Sequence, residues 1–244
     1  ATVLNKQVII NSAKRTLGAV MVVADPISIA YGIGQLSNAL VVDIGAGTID
    51  ICPMYGPHPK DEDQITLPIG GNLVDDEFQR LVMQSQPHAE LTLNQSRKIK
   101  EGFGFVCDGK ERAIATVSIA GEPTQLDVTR QLKAACQTIV PGIAGALLEL
   151  VGKFDRKLQK SLFNNILLGG GQLKGLDRQI VKALKPYGAA TVTRVNDSVF
   201  AGATGSLKLA TNMPAKYWQQ IAGPTGSVQP SKNSAACVPL NRAA

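Results

Sequence analysis

The stretch VVDIGAGTIDI, Val41 to Ile51, decides the fold. Asp43 closes one apolar run, glycines alternate with small residues, and Thr48 and Asp50 open a second apolar run. Two short apolar runs joined by a glycine-containing turn predict an antiparallel hairpin of buried strands. Two interpretations of the turn stay open: it only joins the strands, or it holds phosphate through its backbone N–H groups.

The candidate ligand residues of this turn are Asp43, Gly45, Gly47 and Thr48. The two glycines let backbone N–H groups approach an anion without a Cβ in the way. Asp43 falls at a strand end, where a carboxylate can hold hydrated magnesium, an ion that prefers oxygen ligands. The Thr48 hydroxyl can donate a hydrogen bond to phosphate.

A second glycine turn, Gly169-Gly170-Gly171, follows the apolar residues ILL and precedes a helix predicted over Leu176–Leu184. A glycine turn ahead of a helix offers free N–H groups and the positive end of the helix dipole. The alternative is a close-packed strand-to-helix turn without a ligand, and the spacing fits neither the dinucleotide fingerprint nor the P-loop. Since both turns follow strands, we expect them to form opposite lips of one nucleotide cleft.

Strands alternate with helices along most of the chain, which predicts an α/β fold with a mixed, mainly parallel sheet flanked by helices. The short, valine-rich run Ala19–Val23 predicts a further buried strand. The long apolar segment Leu126–Phe154 is expected to kink or break at Pro141.

Composition excludes several classes of protein. Hydrophobic residues make up 44% of the 244 residues, which is typical of a globular chain, and no apolar run has the roughly 18 residues needed to span a bilayer. The charge of +6 is spread along the chain and aromatic residues are only 5%, so no nucleic-acid partner is expected. Four dispersed cysteines and two histidines provide no zinc motif and indicate a reduced, cytoplasmic protein.

Five segments in order resemble motifs of the actin-like ATPase superfamily. They are VVDIGAGTID, PIGGNLVDDEF, IKEGFGFV, ILLGGGQLKGLD and FAGATGSLKLA. The likeness runs from about Asn5 to Ile221, and VMVVADPISIAYG and MPAKYWQQI are most similar to bacterial actins that organise magnetosomes. The resemblance implies an actin-like (ribonuclease H-like) ATPase fold that is incomplete at its N-terminus.

The resemblance also implies a division of the chain into subdomains. Residues 1–68 and 155–196 form the core α/β subdomain with the phosphate and adenosine loops, and residues 69–154 form a smaller inserted subdomain. Helices over residues 197–222 return to the missing N-terminal half, and residues 223–244 are a disordered tail.

ATP and Mg²⁺ are the implied cofactors, and the resemblance assigns roles to individual residues. Asp43 organises magnesium and the attacking water, and Asp25 replaces a glutamate that assists hydrolysis; the alternative for Asp25 is strand termination before Pro26. Lys100 reaches the ribose, with a surface lysine as the alternative. The backbone residues are Gly45, Gly47 and Thr48 at the β- and γ-phosphates, Gly71 beside the nucleotide, and Gly169, Gly170 and Gly171 behind the adenosine.

Three features depart from the family pattern. Only the second of two Asp/Gly hairpins is present, so the opening part of the fold is expected to lie before Ala1. Asp25 is one methylene shorter than glutamate, which is expected to slow the chemical step. The loop GGGQLKG is one residue shorter than the usual spacing, which is expected to alter the adenine pocket.

The leading hypothesis is a cytoplasmic, ATP-dependent cytoskeletal protein that self-associates into filaments and has magnetosome-associated proteins as partners. ATP hydrolysis is expected of the complete parent and is expected to be weak or absent in this chain alone. One alternative is a truncated, non-hydrolysing actin-like module that binds or caps a partner filament. Another is a sugar or acetate kinase that shares the fold.

Overall fold

The computed structural model describes residues 3–55, 63–171 and 173–222, so the predicted tail lies outside the described residues. The chain divides into two compact units. The unit made from residues 1–22 and 213–244 contains α1 (Val3–Ala13) and α10 (Ala215–Ala222). The unit made from residues 23–212 contains all the other described elements.

The centre of this larger unit is a mixed five-stranded sheet with the strand order β3-β2-β1-β7-β8. The strands are β1 (Ser37–Ile44), β2 (Ile49–Tyr55), β3 (Ile65–Leu67), β7 (Ile166–Gly170) and β8 (Val192–Arg194). The pairs β1–β2 and β2–β3 are antiparallel, whereas β1–β7 and β7–β8 are parallel. The predicted hairpin and the mixed α/β sheet are confirmed, with parallel pairing in half of the sheet.

Helices cover both faces of the sheet because its central strands are apolar on both faces. On β1, Leu40, Val42 and Ile44 contribute to the larger core cluster, and Ala39 and Val41 contribute to the smaller one. The larger cluster includes residues of α3 (Gly71–Ser85), α5 (Thr129–Gln137), α6 (Ile139–Val151), α7 (Arg156–Phe163) and α8 (Leu176–Leu184). The smaller cluster includes residues of α2 (Asp25–Ile33) and α9 (Ala201–Asn212).

A second, antiparallel sheet has the order β4-β5-β6. Its strands are β4 (Ala89–Glu90), β5 (Ile114–Ile119) and β6 (Glu122–Asp127), and α4 (Leu93–Phe103) lies between β4 and β5 in the chain. The strand β6 is not predicted from the sequence, because EPTQLD is polar and contains Pro123. A proline is tolerated there because β6 is an edge strand.

The long apolar segment folds as α5 and α6, with the break at Thr138 rather than at Pro141. Pro141 lies in the first turn of α6, where its missing N–H leaves no helical hydrogen bond unmade. Within the described ranges, residues 129–151 form the one helical run long and apolar enough to cross a bilayer. Half of its most apolar window is buried inside the protein.

The predicted strand at Ala19–Val23 is wrong. The structure forms no strand there, and Met21 is 37% exposed. A strand gains its stability from a neighbouring strand, and none of the described strands pairs with this segment.

Candidate functional site

A cleft of about 800 Å³ opens at one edge of the large sheet. The β1–β2 turn, the N-terminal end of α3, one side of α4, the end of β7 and the N-terminal end of α9 meet there. Seven of the residues singled out from the sequence line it: Asp25, Asp43, Gly45, Gly71, Lys100, Gly170 and Gly171. Gly47, Thr48 and Gly169 are not among the lining residues in the described part of the chain.

The two glycine turns meet because β1 and β7 are adjacent parallel strands, whose carboxyl ends lie at the same sheet edge. Asp43 is opposite Gly169, and Ile44 is opposite Gly170. The N–H of Gly171 donates to the Ile44 carbonyl at 2.8 Å. The turns are therefore in direct contact and together form the floor of the cleft, so the expectation that they form its opposite lips is wrong.

Gly170 is required by this close approach. Its φ is +70°, and a Cβ there would lie 2.4 Å from the Ile44 carbonyl oxygen and 2.6 Å from Oδ1 of Asp43. Gly169, in contrast, is buried, and a Cβ on it would lie 2.5 Å from Cδ1 of Ile29 in α2. Gly169 thus allows α2 to pack on the sheet, whereas Gly170 allows the two turns to touch.

Most of the expected glycine N–H donors are already hydrogen-bonded inside the protein. Gly45 donates to the Thr48 carbonyl at 2.9 Å, Gly71 donates to the Gly45 carbonyl at 3.1 Å, and Gly170 donates to the Ser198 carbonyl at 3.0 Å. None of the backbone hydrogen bonds found in the described ranges is donated by residues 46–48. The N–H groups open to an anion are therefore those at the exposed tip of the β1–β2 turn.

The turn is fixed to the start of α3. Besides the Gly71 bond, the Asn72 N–H donates to the Ala46 carbonyl at 2.7 Å. A Cβ on Gly70 would lie 2.6 Å from the Gly45 carbonyl oxygen, so this contact requires a glycine. The first N–H groups of a helix have no partner within the helix, and here the turn carbonyls provide one.

Two aspartates, Asp25 and Asp43, line the cleft, and Asp50 lies beside Asp43 on the neighbouring strand. Burial, followed by the charges of Asp25 and Asp50, raises the pKa of Asp43 from 3.8 to about 6. Burial and then the charge of Asp50 also raise the pKa of Asp25, the first residue of α2. The raised pKa values reflect burial first and, second, the negative charge of the neighbouring aspartates.

Asp50 was not predicted as a site residue, although its position in the hairpin is symmetric to that of Asp43. Asp43 and Asp50 are equally distant from the turn centre, and the structure pairs them directly across β1 and β2. Asp50 accepts hydrogen bonds from the hydroxyls of Thr48, at 3.1 Å, and Thr66. The Thr48 hydroxyl that was expected to bind phosphate is therefore bonded within the hairpin.

The residues at the floor of the cleft fit a magnesium ion that is shared with a ligand. Carboxylate oxygens are suitable ligands for Mg²⁺, and a divalent cation would relieve the repulsion between the aspartates. Across the described ranges, no group of three or more His, Cys, Asp or Glu side chains is close enough to hold a metal ion by itself. A bound ion would therefore need water or phosphate oxygens to complete its coordination.

The opposite wall of the cleft carries the charged residues Arg97, Lys100 and Glu101 of α4. Lys100 Nζ lies 2.8 Å from the Gly71 carbonyl oxygen, to which it donates, and 2.7 Å from Oδ1 of Asp75. Arg97, three residues earlier on α4, also lines the cleft and donates from Nε to Oδ2 of Asp75 at 3.3 Å. Arg97 and Asp75 were not predicted as site residues, although Arg97 and Lys100 are three apart on a helix and so lie on the same face.

The remaining wall depends on close packing of α9 against α2. A Cβ on Gly205 would lie 1.8 Å from the Ser28 carbonyl oxygen, so the two backbones touch. The Ser206 hydroxyl donates to the Ser28 hydroxyl at 2.9 Å. This contact brings the N-terminal end of α9 to the cleft, where Gly202 lies beside Asp25.

The sheet, its two helix layers and the glycine turns meeting at a cleft define an α/β protein of the actin-like fold. The MreB/Mbl protein family matches residues 1–215, and the chain belongs to this family. The family assignment made from the motifs is therefore confirmed.

The relatives include the actin-like protein MamK of Paramagnetospirillum magneticum, which is 36% identical over 229 residues. That match covers 93% of this chain and 66% of the relative, so the chain spans just under two thirds of its length. A MamK double helical filament has a TM-score of 0.85 at 36% identity, covering 88% of this chain and 66% of the other. A non-polymerising MamK mutant bound to AMPPNP has a TM-score of 0.76 at 36% identity, covering 87% and 66%.

Proposed function

We propose that the cleft binds ATP together with magnesium and that nucleotide binding supports self-association of the protein into filaments. The observation that carries this proposal is the convergence of the β1–β2 turn, the Gly170 turn and the N-terminal end of α9 on one cleft with aspartates at its floor. A solved MamK relative was bound to AMPPNP and another formed a filament, which supports the same conclusion by similarity.

In this proposal the triphosphate lies over the β1–β2 turn. The open N–H groups of residues 46–48 donate to phosphate oxygens, while Gly45, Gly47 and Thr48 shape the turn that presents them. Asp43 holds the magnesium ion through its oxygens or through bound water. The ion supplies positive charge that neutralises both the phosphates and the aspartates.

The ribose and base lie between the α3–α4 wall and the Gly170 turn. Gly71 and the wall that contains Lys100 form the ribose side, and Gly170 and Gly171 form the adenosine side, with Gly169 supporting them from within the sheet. A cleft of about 800 Å³ falls in the range expected for a site that holds a small molecule.

Hydrolysis by this chain alone is expected to be weak. Asp25 lines the same cleft as Asp43 and is the candidate that orients the attacking water. Asp25 is fixed at the start of α2, and its side chain is too short to extend as far as a glutamate would. A general base must come within about 3 Å of the proton it accepts, or act through one water molecule.

The proposed cellular role follows the MamK relatives. In it the protein forms filaments in the cytoplasm that organise magnetosomes, with magnetosome-associated proteins as partners. Membership of the MreB/Mbl family argues against the sugar or acetate kinase alternative.

Equilibrium dialysis with labelled ATP tests the nucleotide site. We expect binding that depends on magnesium, little phosphate release, and a larger loss of affinity for Asp43→Ala than for Lys100→Ala. Asp76→Ala, on the exposed side of α3, is the matched control and should bind as the wild type does. Equal affinities for wild type and Asp43→Ala in magnesium would remove Asp43 from the site.

The second candidate function is a non-hydrolysing module that binds or caps a partner filament. It is favoured by Asp25, whose side chain is one methylene shorter than the glutamate of the family pattern and is therefore less able to reach an attacking water. Electron microscopy of the purified protein with and without ATP separates the two functions. Filaments that require ATP support self-assembly, whereas binding only to the ends or sides of a relative's filaments supports the second candidate.

A further inference from the structure

Asp75 is the one charged side chain that is buried in the described part of the chain, with 2% of its side chain exposed. It lies on α3, three residues before Phe78, on the face that packs into the core. A buried carboxylate is costly unless cations or hydrogen-bond donors compensate it. Because burying this carboxylate is costly, packing alone does not explain why Asp75 lies beside the cleft.

Two cations from α4 provide that compensation. Lys100 Nζ lies 2.7 Å from Oδ1 of Asp75 and forms an ion pair with it, but the angles at this contact are not those of a hydrogen bond. Arg97 Nε donates a hydrogen bond to Oδ2 of Asp75 at 3.3 Å. The two cations differ in their exposure. The Lys100 side chain is 12% exposed, whereas that of Arg97 is 49% exposed.

Lys100 is held within the wall, because its ammonium group contacts both Asp75 and the Gly71 carbonyl oxygen. Arg97 uses Nε for Asp75 and Nη2 for the Asn72 side-chain oxygen at 3.2 Å. These two contacts fix one edge of the planar guanidinium group and leave the group half-exposed at the cleft. A fixed guanidinium is suited to donating hydrogen bonds to a ligand, because little side-chain entropy is then lost on binding.

We propose that Asp75 is a positioning residue for nucleotide binding, which acts by holding Arg97 at the cleft wall as the ligand-contacting cation and Lys100 as the internal support. This inference rests on the proposed function. It differs from the expectation for Lys100 drawn from the motif, since Arg97 takes the role of direct contact. Asp75 itself does not touch the ligand.

The test is a double-mutant cycle on nucleotide affinity. Dissociation constants for AMPPNP in magnesium are measured for wild type, Asp75→Asn, Arg97→Gln and the double variant. We expect Asp75→Asn and Arg97→Gln each to weaken binding about tenfold, and the double variant to be weakened by hardly more than either single variant. A purely structural role of Asp75 would give a further tenfold loss in the Arg97→Gln background.

The matched control is Glu77→Gln, which breaks an exposed ion pair with Arg80 on the same helix and should leave affinity unchanged. If Asp75→Asn does not fold, Arg97→Gln and Lys100→Gln still decide the division of roles, because the proposal requires Arg97→Gln to have the larger effect. The positioning role alone is overturned if the wild type binds but the losses of affinity from Asp75→Asn and Arg97→Gln are additive. It is also overturned if Lys100→Gln weakens binding more than Arg97→Gln does. Failure of the wild type to bind any nucleotide overturns the proposed function and this inference together.

Discussion

Replacing Asp43 by asparagine should stabilise the folded protein while removing the carboxylate expected to hold magnesium. The Asp43 carboxylate is partly buried and faces the charges of Asp25 and Asp50, so folding raises its pKa from 3.8 to about 6. At about 1.4 kcal/mol per pKa unit, this change corresponds to about 3 kcal/mol. Solvent that still reaches the site screens these charges, so we expect a gain of about 1 to 2 kcal/mol for Asp43→Asn at pH 7.5.

The sign of the pH dependence follows from proton binding. Since the folded state has the higher pKa, it binds more protons than the unfolded state between about pH 4 and pH 6. The free energy of unfolding of the wild type therefore falls as the pH rises through this window. Asparagine does not titrate, so the advantage of Asp43→Asn should be small near pH 4 and complete above about pH 6.5.

Thermal unfolding at several pH values measures this effect. For a chain of this size, 1 to 2 kcal/mol corresponds to a rise in Tm of about 3 to 6 °C. Asp76→Asn is the control, because Asp76 is exposed on α3 and away from the aspartate cluster. A wild type that is more stable than Asp43→Asn at pH 7.5, or a difference that does not vary with pH, would refute the electrostatic reasoning.

Three further predictions concern stability, and all are measured by thermal or urea unfolding. Gly205→Ala should lower the free energy of unfolding by about 3 kcal/mol, because its Cβ would lie 1.8 Å from the Ser28 carbonyl oxygen. An unchanged midpoint of unfolding would show that α2 and α9 separate easily. Gly145→Ala is the matched helical control and should raise stability by about 0.5 to 1 kcal/mol, because a Cβ there meets nothing within 4 Å; destabilisation would contradict an open position. Asp155→Ala should cost about 1 kcal/mol, because its side chain accepts from the first N–H groups of α7, and Asp155→Asn should retain most of that stability.

The parts of the fold with strong local signals could be predicted from the sequence. The β1–β2 hairpin was expected from its turn, and α8 has the predicted bounds, Leu176–Leu184, because its apolar residues recur at helical spacing. Ala19–Val23 was misassigned because an apolar, valine-rich run favours a strand only when another strand pairs with it. The strand β6 was missed because it is exposed at a sheet edge and carries few apolar residues.

The candidate site could be predicted only in part. That Asp43 and Gly170 meet follows from the adjacency of two parallel strands, a pairing that the alternation of strands and helices allows but does not specify. Which N–H groups are free could not be predicted, since Gly170 is bonded to the carbonyl of Ser198, far away in the chain. Asp75 and Arg97 belong to different helices, and their contact depends on how α3 packs against α4.

The two hydrogen bonds that join the β1–β2 turn to Gly71 and Asn72 have a mechanical consequence. A ligand that displaces the turn must either break both bonds or carry the base of α3 with it. The helix has 15 residues, so at 1.5 Å per residue it is about 22 Å long. If the helix pivots at the turn, a tilt of roughly 5° would move its far end by roughly 2 Å, so a small displacement at the cleft would be passed on to a distant part of the surface.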